Sequence, residues 1–156
     1  MTKERNKIQL FSYGVTLLVS LIILGDFILP GSIYTDEVIA IKKERQQYYN
    51  AAGNYHYSYK AVTSQHRFLV SEDFAKSAQD KKIKYSVSLL FKEINRYGLL
   101  SSKESMVHSL RIASGLILPL LIIGTILIAY KYKKRIGTLL FILQIILLGN
   151  LVLLIG

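Results

Sequence analysis

Three blocks of this chain are apolar on every side. Ile8 to Leu29, Leu110 to Tyr130 and Ile136 to Ile155 each run without a helical period of charges. Each is about twenty residues long, and at about 1.5 Å of rise per residue such a helix crosses the roughly 30 Å of bilayer hydrocarbon. A helix with no water-facing side must be covered by lipid or by other helices, so the pattern predicts three transmembrane helices.

Residues 30–109 follow a different rhythm. Pro30 and Gly31 end the first block, and Tyr34 reads as an aromatic anchor at the membrane interface. From Ile83 to Ile94, Ile83, Tyr85, Val87, Leu89 and Phe91 alternate with Lys84, Ser86, Ser88, Leu90 and Lys92, the period of a half-buried strand. Tyr55, Tyr57, Tyr59 and Ala61 alternate in the same way with His56, Ser58 and Lys60, after a Gly53–Asn54 turn. Val38 to Tyr49 fits strand or helix by spacing; its β-branched start and the turn that follows favour the first strand of a hairpin. Arg67 to Val70 reads as a third short strand. Ser71, followed by Glu72 and Asp73, reads as the N-cap of a short helix to Ala78, and Asp80, Lys81 and Lys82 turn the chain into the strong strand. Ser101 or Ser102 is expected to cap a helix running through Met106 and Val107 into the second apolar block.

The expected fold class is therefore a membrane α-helical protein with three transmembrane helices. A small β-rich (α+β) extracytoplasmic domain, with strand order β, β, β, short helix, β, is inserted between helices 1 and 2. The divisions are a cytoplasmic N-terminus at 1–7, spans at 8–29, 110–130 and 136–156, the domain at 30–109 and a basic loop at 131–135. Lys3, Arg5 and Lys7 before the first span could belong to a cleaved signal, but the apolar run is long for one and no clean small-x-small site follows. A retained anchor is the expectation.

Charge sets the orientation. The basic N-terminus and the link Lys131, Tyr132, Lys133, Lys134, Arg135 are both expected in the cytoplasm, which puts residues 30–109 and Gly156 outside. The inserted segment is also basic, with twelve Lys and Arg against eight Asp and Glu, but a segment beyond about 60 residues is translocated largely regardless of charge. The net charge of +10 is thus partly topogenic, and the excess on the domain suits anionic lipid headgroups or an acidic partner. Its basic residues are dispersed, which argues against nucleic acid. With no cysteine, there is neither a disulfide nor a thiolate site. The absence of an Asn-x-Ser/Thr sequon, with a Lys- and Ile-rich composition, points to a bacterial inner membrane.

Candidate chemistry is sparse. His56, His66 and His108 lack metal-ligand spacing, and neither a Gly-x-Ser-x-Gly elbow nor a glycine-rich phosphate loop is present. No cofactor and no enzymatic activity are expected. Asp26, near the end of the first span, has Arg111 as its natural partner at the start of the second. Gln144 and Asn150 lie in the third span, where amides bond other helices, and Gly115, Pro119 and Gly124 suggest close contact or a kink in the second. Tyr55, Tyr57 and Tyr59 form either a face packed on the core or an exposed recognition surface. Two functions fit these features: an accessory or scaffold subunit contacting an integral membrane partner, or a membrane-anchored sensor that recognises an envelope molecule.

Overall fold

The computed structural model describes residues 2–47, 55–78, 81–132 and 137–155. The Gly53–Asn54 turn, the turn at Asp80, Lys133 to Arg135 of the basic link and Gly156 lie outside the described residues. The chain divides into two compact units, one helical (1–30, 88–93 and 109–156) and one β-rich (31–87 and 94–108).

The helical unit contains α1 (Thr2–Ile28), a short α3 (Ser109–Ile112) that runs through a π-helical turn (Ala113–Ile117) into α4 (Leu118–Tyr132), and α5 (Gly137–Ile155). Its three helices are long and apolar enough to cross a membrane, over Lys7–Ile28, Ser109–Tyr132 and Gly137–Ile155. They meet along a narrow seam of Ile23, Ile122, Ile126, Leu140, Leu143, Leu147 and Leu154. Most of their apolar surface points away from it, as at Phe11 and Leu153.

The β unit is built from two antiparallel three-stranded sheets, in strand orders β1-β5-β6 and β2-β3-β4. The strands are β1 (Ser32–Glu37), β2 (Ala40–Gln47), β3 (Tyr55–Val62), β4 (Arg67–Val70), β5 (Lys82–Val87) and β6 (Ile94–Leu99), with α2 (Glu72–Ser77) between β4 and β5. As the alternation predicts, Ile83, Tyr85 and Val87 are buried while Lys82 and Lys84 are exposed. They join Val38, Ala61, Phe68, Val70, Phe74 and Tyr97 in one core. Ser71 caps α2, its hydroxyl accepting from the Phe74 N–H at 3.3 Å.

Four expectations are corrected. The strand starting at Ile83 stops at Val87, where its register with β6 shifts; residues 88–93 leave the sheet, and a second strand begins at Ile94. Leu89 is half exposed rather than in the core. Tyr34 belongs to β1 and stacks on Tyr85 in the β core, with ring centroids 5.6 Å apart, so its ring is used by the β unit. The helix expected from Ser101 does not start until Ser109. Met106 instead pairs with Tyr97, N–H to carbonyl in both directions at 2.7 and 2.9 Å, because β6 is an edge strand with free backbone groups. Gly98 makes this possible: a Cβ there would stand 2.4 Å from the Glu104 carbonyl oxygen of the strap that crosses it.

Candidate functional site

Within the helical unit, Asp26 and Arg111 meet as their positions suggested. Arg111 Nη2 donates to Asp26 Oδ2 at 3.1 Å, and both side chains are almost fully buried. The other carboxylate oxygen, Oδ1, accepts the backbone N–H of Leu90 at 2.7 Å, a partner that no sequence pattern announced. The Arg111 guanidinium also lies over the Phe27 ring, 5.6 Å from its centre. Glu93, at the end of the same 88–93 segment, is half-buried. Burial raises its carboxyl above the ordinary value of 4.5, while the Arg111 charge pulls it down and the Asp26 charge pushes it up. The Arg111 charge therefore acts on both carboxyls, in direct contact with Asp26. A buried ion pair of this kind fixes geometry more than it adds stability, since desolvation offsets most of the attraction.

The two amides of α5 are used inside the chain. Gln144 Nε2 donates to Ser12 Oγ at 2.9 Å and to Thr16 Oγ1 at 2.8 Å on α1. Ser12, Thr16 and Ser20 recur every four residues, a hydroxyl stripe on one helix face that could have pointed to this contact. Asn150 Nδ2 donates to the Ser114 carbonyl at 3.1 Å. The reason lies in Pro119. In the π-helical register, where the Leu118 N–H reaches back five residues to Ala113, the next acceptor is Ser114, and its donor would be the amide that proline lacks. A carbonyl stranded in an apolar setting needs another partner, and Asn150 is that partner. Gly115 lies in the same turn against Phe27; an added Cβ would meet the ring at 2.6 Å. Gly124 has open space beside it.

In the β unit the tyrosine stripe is graded along its length. Ala61 is fully buried and Tyr59 packs against the core, whereas Tyr57 and Tyr55 are 42% and 49% exposed. Register places Lys43 opposite Tyr59 and Arg45 opposite Tyr57, on the same face, and each cation reaches diagonally to the next ring. Lys43 Nζ lies 3.8 Å from the centre of the Tyr57 ring, and the Arg45 guanidinium 4.0 Å from that of Tyr55. The two rings meet edge to face at 5.4 Å. On the reverse face Lys60 pairs with Glu44 at 2.8 Å. The signal for Lys43 and Arg45 was present in the sequence as a period of two in β2, hidden by the ambiguity of that segment.

The β unit also carries a cleft of about 440 Å³ where the 100–105 strap crosses β6, with Lys84, Arg96 and Lys103 against Glu104 and with Ile33 and Leu100 as apolar walls. Deeper in the same unit, His66 Nδ1 and Thr63 Oγ1 lie 3.0 and 3.3 Å from the Tyr85 hydroxyl, whose pKa burial raises. His66 is thus part of the core network. Comparison with known proteins returns no match: no family model fits the chain, and neither a curated protein nor a solved structure is similar to it.

Proposed function

We propose that this protein is a membrane-anchored recognition module, with its three helices in a bacterial inner membrane and its β unit outside the cytoplasm. Its task is to bind an anionic glycopolymer of the envelope; it is not an enzyme. The observation that carries this reading is the exposed pair Tyr55 and Tyr57, each with a cation over its face. Packing on the core accounts for Tyr59 and Ala61 but not for the outer two rings. Sugar rings stack on exposed aromatic faces, and Lys43 and Arg45 supply the charge for acidic substituents. The +4 excess of residues 30–109 works in the same direction.

The orientation rests on the basic N-terminus and the 131–135 link, both suited to the cytoplasm. The accessory-subunit expectation drew support from the amides of α5. Gln144 and Asn150 find partners within the chain, so that reading now depends on the exposed apolar helix faces, which lipid covers equally well.

The test is binding of polygalacturonate to the protein in nanodiscs, with a fully methyl-esterified pectin as the uncharged control. The acidic polymer should bind, more weakly as salt rises, and Tyr57→Ala or the Lys43→Ala, Arg45→Ala pair should weaken it by about tenfold or more. Equal binding of the esterified polymer, or variants that bind like the parent, would overturn the reading. Purification in gentle detergent should return the chain alone; another membrane protein at a fixed ratio would favour the accessory subunit.

A further inference from the structure

The segment Ser88–Glu93 joins two strands of the β unit yet belongs to the helical unit. We infer that its tip, Leu89 and Leu90, is inserted in the lipid bilayer at the level where the first span ends. This rests on the membrane reading of the three helices and is independent of the ligand proposed for the tyrosine face.

The segment is a closed, fixed loop. The Ser88 N–H donates to the Glu93 carbonyl at 2.8 Å, and the Glu93 N–H to the Ser88 hydroxyl at 3.1 Å. Lys92, at φ 58°, makes the left-handed turn that brings the two ends together. Two links hold the loop to the bundle: the Leu90 N–H on Asp26 Oδ1, and Phe91 packed against the helix seam.

Those links set its depth. Asp26 precedes the end of the first span, Ile28, by two residues, which at about 1.5 Å each is about 3 Å along the helix. Its ion-pair partner Arg111 lies equally close to Ser109, where the second span starts. A backbone amide bonded directly to Asp26 is therefore at the rim of the apolar layer, on the side where α1 ends.

At that rim several large apolar side chains are exposed. Leu90 is 64% exposed although its amide is fixed to the bundle, and Leu89 is 50% exposed. Ile28, Leu29 and Leu110, at the same ends of their helices, are also exposed. Lipid is the occupant that fits. Water would leave all five uncovered beside helices already immersed in hydrocarbon, whereas acyl chains cover them without a partner of matching shape. The hydrogen bonds made by the amides of Ser88, Leu90 and Glu93 lower the cost of bringing this backbone to the rim of the apolar layer. Exposed Lys92 is placed beside the two leucines as a snorkelling side chain that reaches the phosphate layer.

The chain contains no tryptophan, so one substitution makes a single-reporter protein. Leu90→Trp, reconstituted in phosphatidylcholine and phosphatidylglycerol vesicles, should emit at short wavelength, lose most of its intensity to lipids brominated on the acyl chain, and resist aqueous iodide. Leu148→Trp, on the exposed face of α5, reports on membrane insertion itself. Leu89→Trp repeats the measurement should Leu90→Trp fail to fold. Quenching by iodide at the loop, with lipid quenching at position 148, overturns the inference and leaves the membrane reading standing. Protection from both quenchers also overturns it, in favour of a protein partner. Absence of lipid quenching at position 148 removes the membrane reading and the loop with it.

Discussion

Arg111 Nη2 stands 3.1 Å from Asp26 Oδ2, joining residues 85 positions apart in the chain where both side chains are out of water. Breaking such a pair is far more damaging than its net contribution suggests, because the remaining charge stays buried. Arg111→Gln or Asp26→Asn should each destabilise the helical unit by roughly 3–5 kcal/mol. The Asp26→Arg, Arg111→Asp exchange restores opposite charges but gives the Leu90 N–H no acceptor, so it should recover only part of the loss. Unfolding in mixed detergent micelles measures all three. Full recovery in the exchange would mean that the Leu90 contact is immaterial.

Asn150 and Pro119 should show the opposite of simple additivity. Asn150→Leu leaves the Ser114 carbonyl without a donor, at a cost of about 1–3 kcal/mol. Pro119→Ala returns an N–H to the helix, so the double variant should be more stable than Asn150→Leu alone. A double variant less stable than Asn150→Leu would show that Pro119 does not create the vacancy.

Gly115→Ala should be poorly tolerated, by about 1–3 kcal/mol, since the new methyl meets the Phe27 ring. Phe27→Leu in the same chain should relieve most of that cost. Gly124→Ala, with open space beside it, should be nearly neutral and serves as the control for helix propensity.

Glu93 predicts a pH dependence with a definite sign. Its folded-state pKa lies above 4.5, so the folded protein holds the proton more tightly than the unfolded chain. The favourable protonated form is complete below 4.5, and its contribution is lost as pH rises through the folded-state value. Glu93→Gln cannot ionise, so its melting temperature relative to the parent should climb as pH is raised from 4.5. A constant difference across that range would show that the carboxyl titrates normally. His108, whose burial lowers its pKa from 6.5, acts in the other direction in both proteins and cancels in the comparison.

Legibility in the sequence followed the range of the interaction. β2 to β5 and the Ser71 cap were readable because alternation and capping are local. β1 and β6 are not: Tyr34 of β1 follows the Pro30–Gly31 break and reads as a membrane boundary, and Gly98 breaks the pattern of β6. The alternation through Leu89 and Phe91 was misleading because a period of two says nothing about which surface buries those residues, and Phe91 packs on helices instead. Asp26 and Arg111 stood out as charges at the edges of apolar blocks. Leu90 could not be foreseen, since a backbone donor has no sequence signature. Gln144 and Asn150 were visible as amides, but their partners were not, because the Ser114 carbonyl becomes available only through Pro119 and the π turn.

The placement of donors and acceptors also imposes an order in time. Ser12, Thr16 and Ser114 are made before Gln144 and Asn150, so a nascent chain that stops short of α5 lacks the amides that bond them in the folded protein. Thr16 is partly provided for by the Ser12 carbonyl at 2.8 Å, whereas at Ser114 the next donor of the π register is the amide that Pro119 lacks. The Asn150 bond to the Ser114 carbonyl therefore waits on the synthesis of α5. A chain stopped after Tyr132 should be cleared by membrane quality control faster than the full chain in a pulse-chase, and Pro119→Ala should lengthen the life of the truncated form alone.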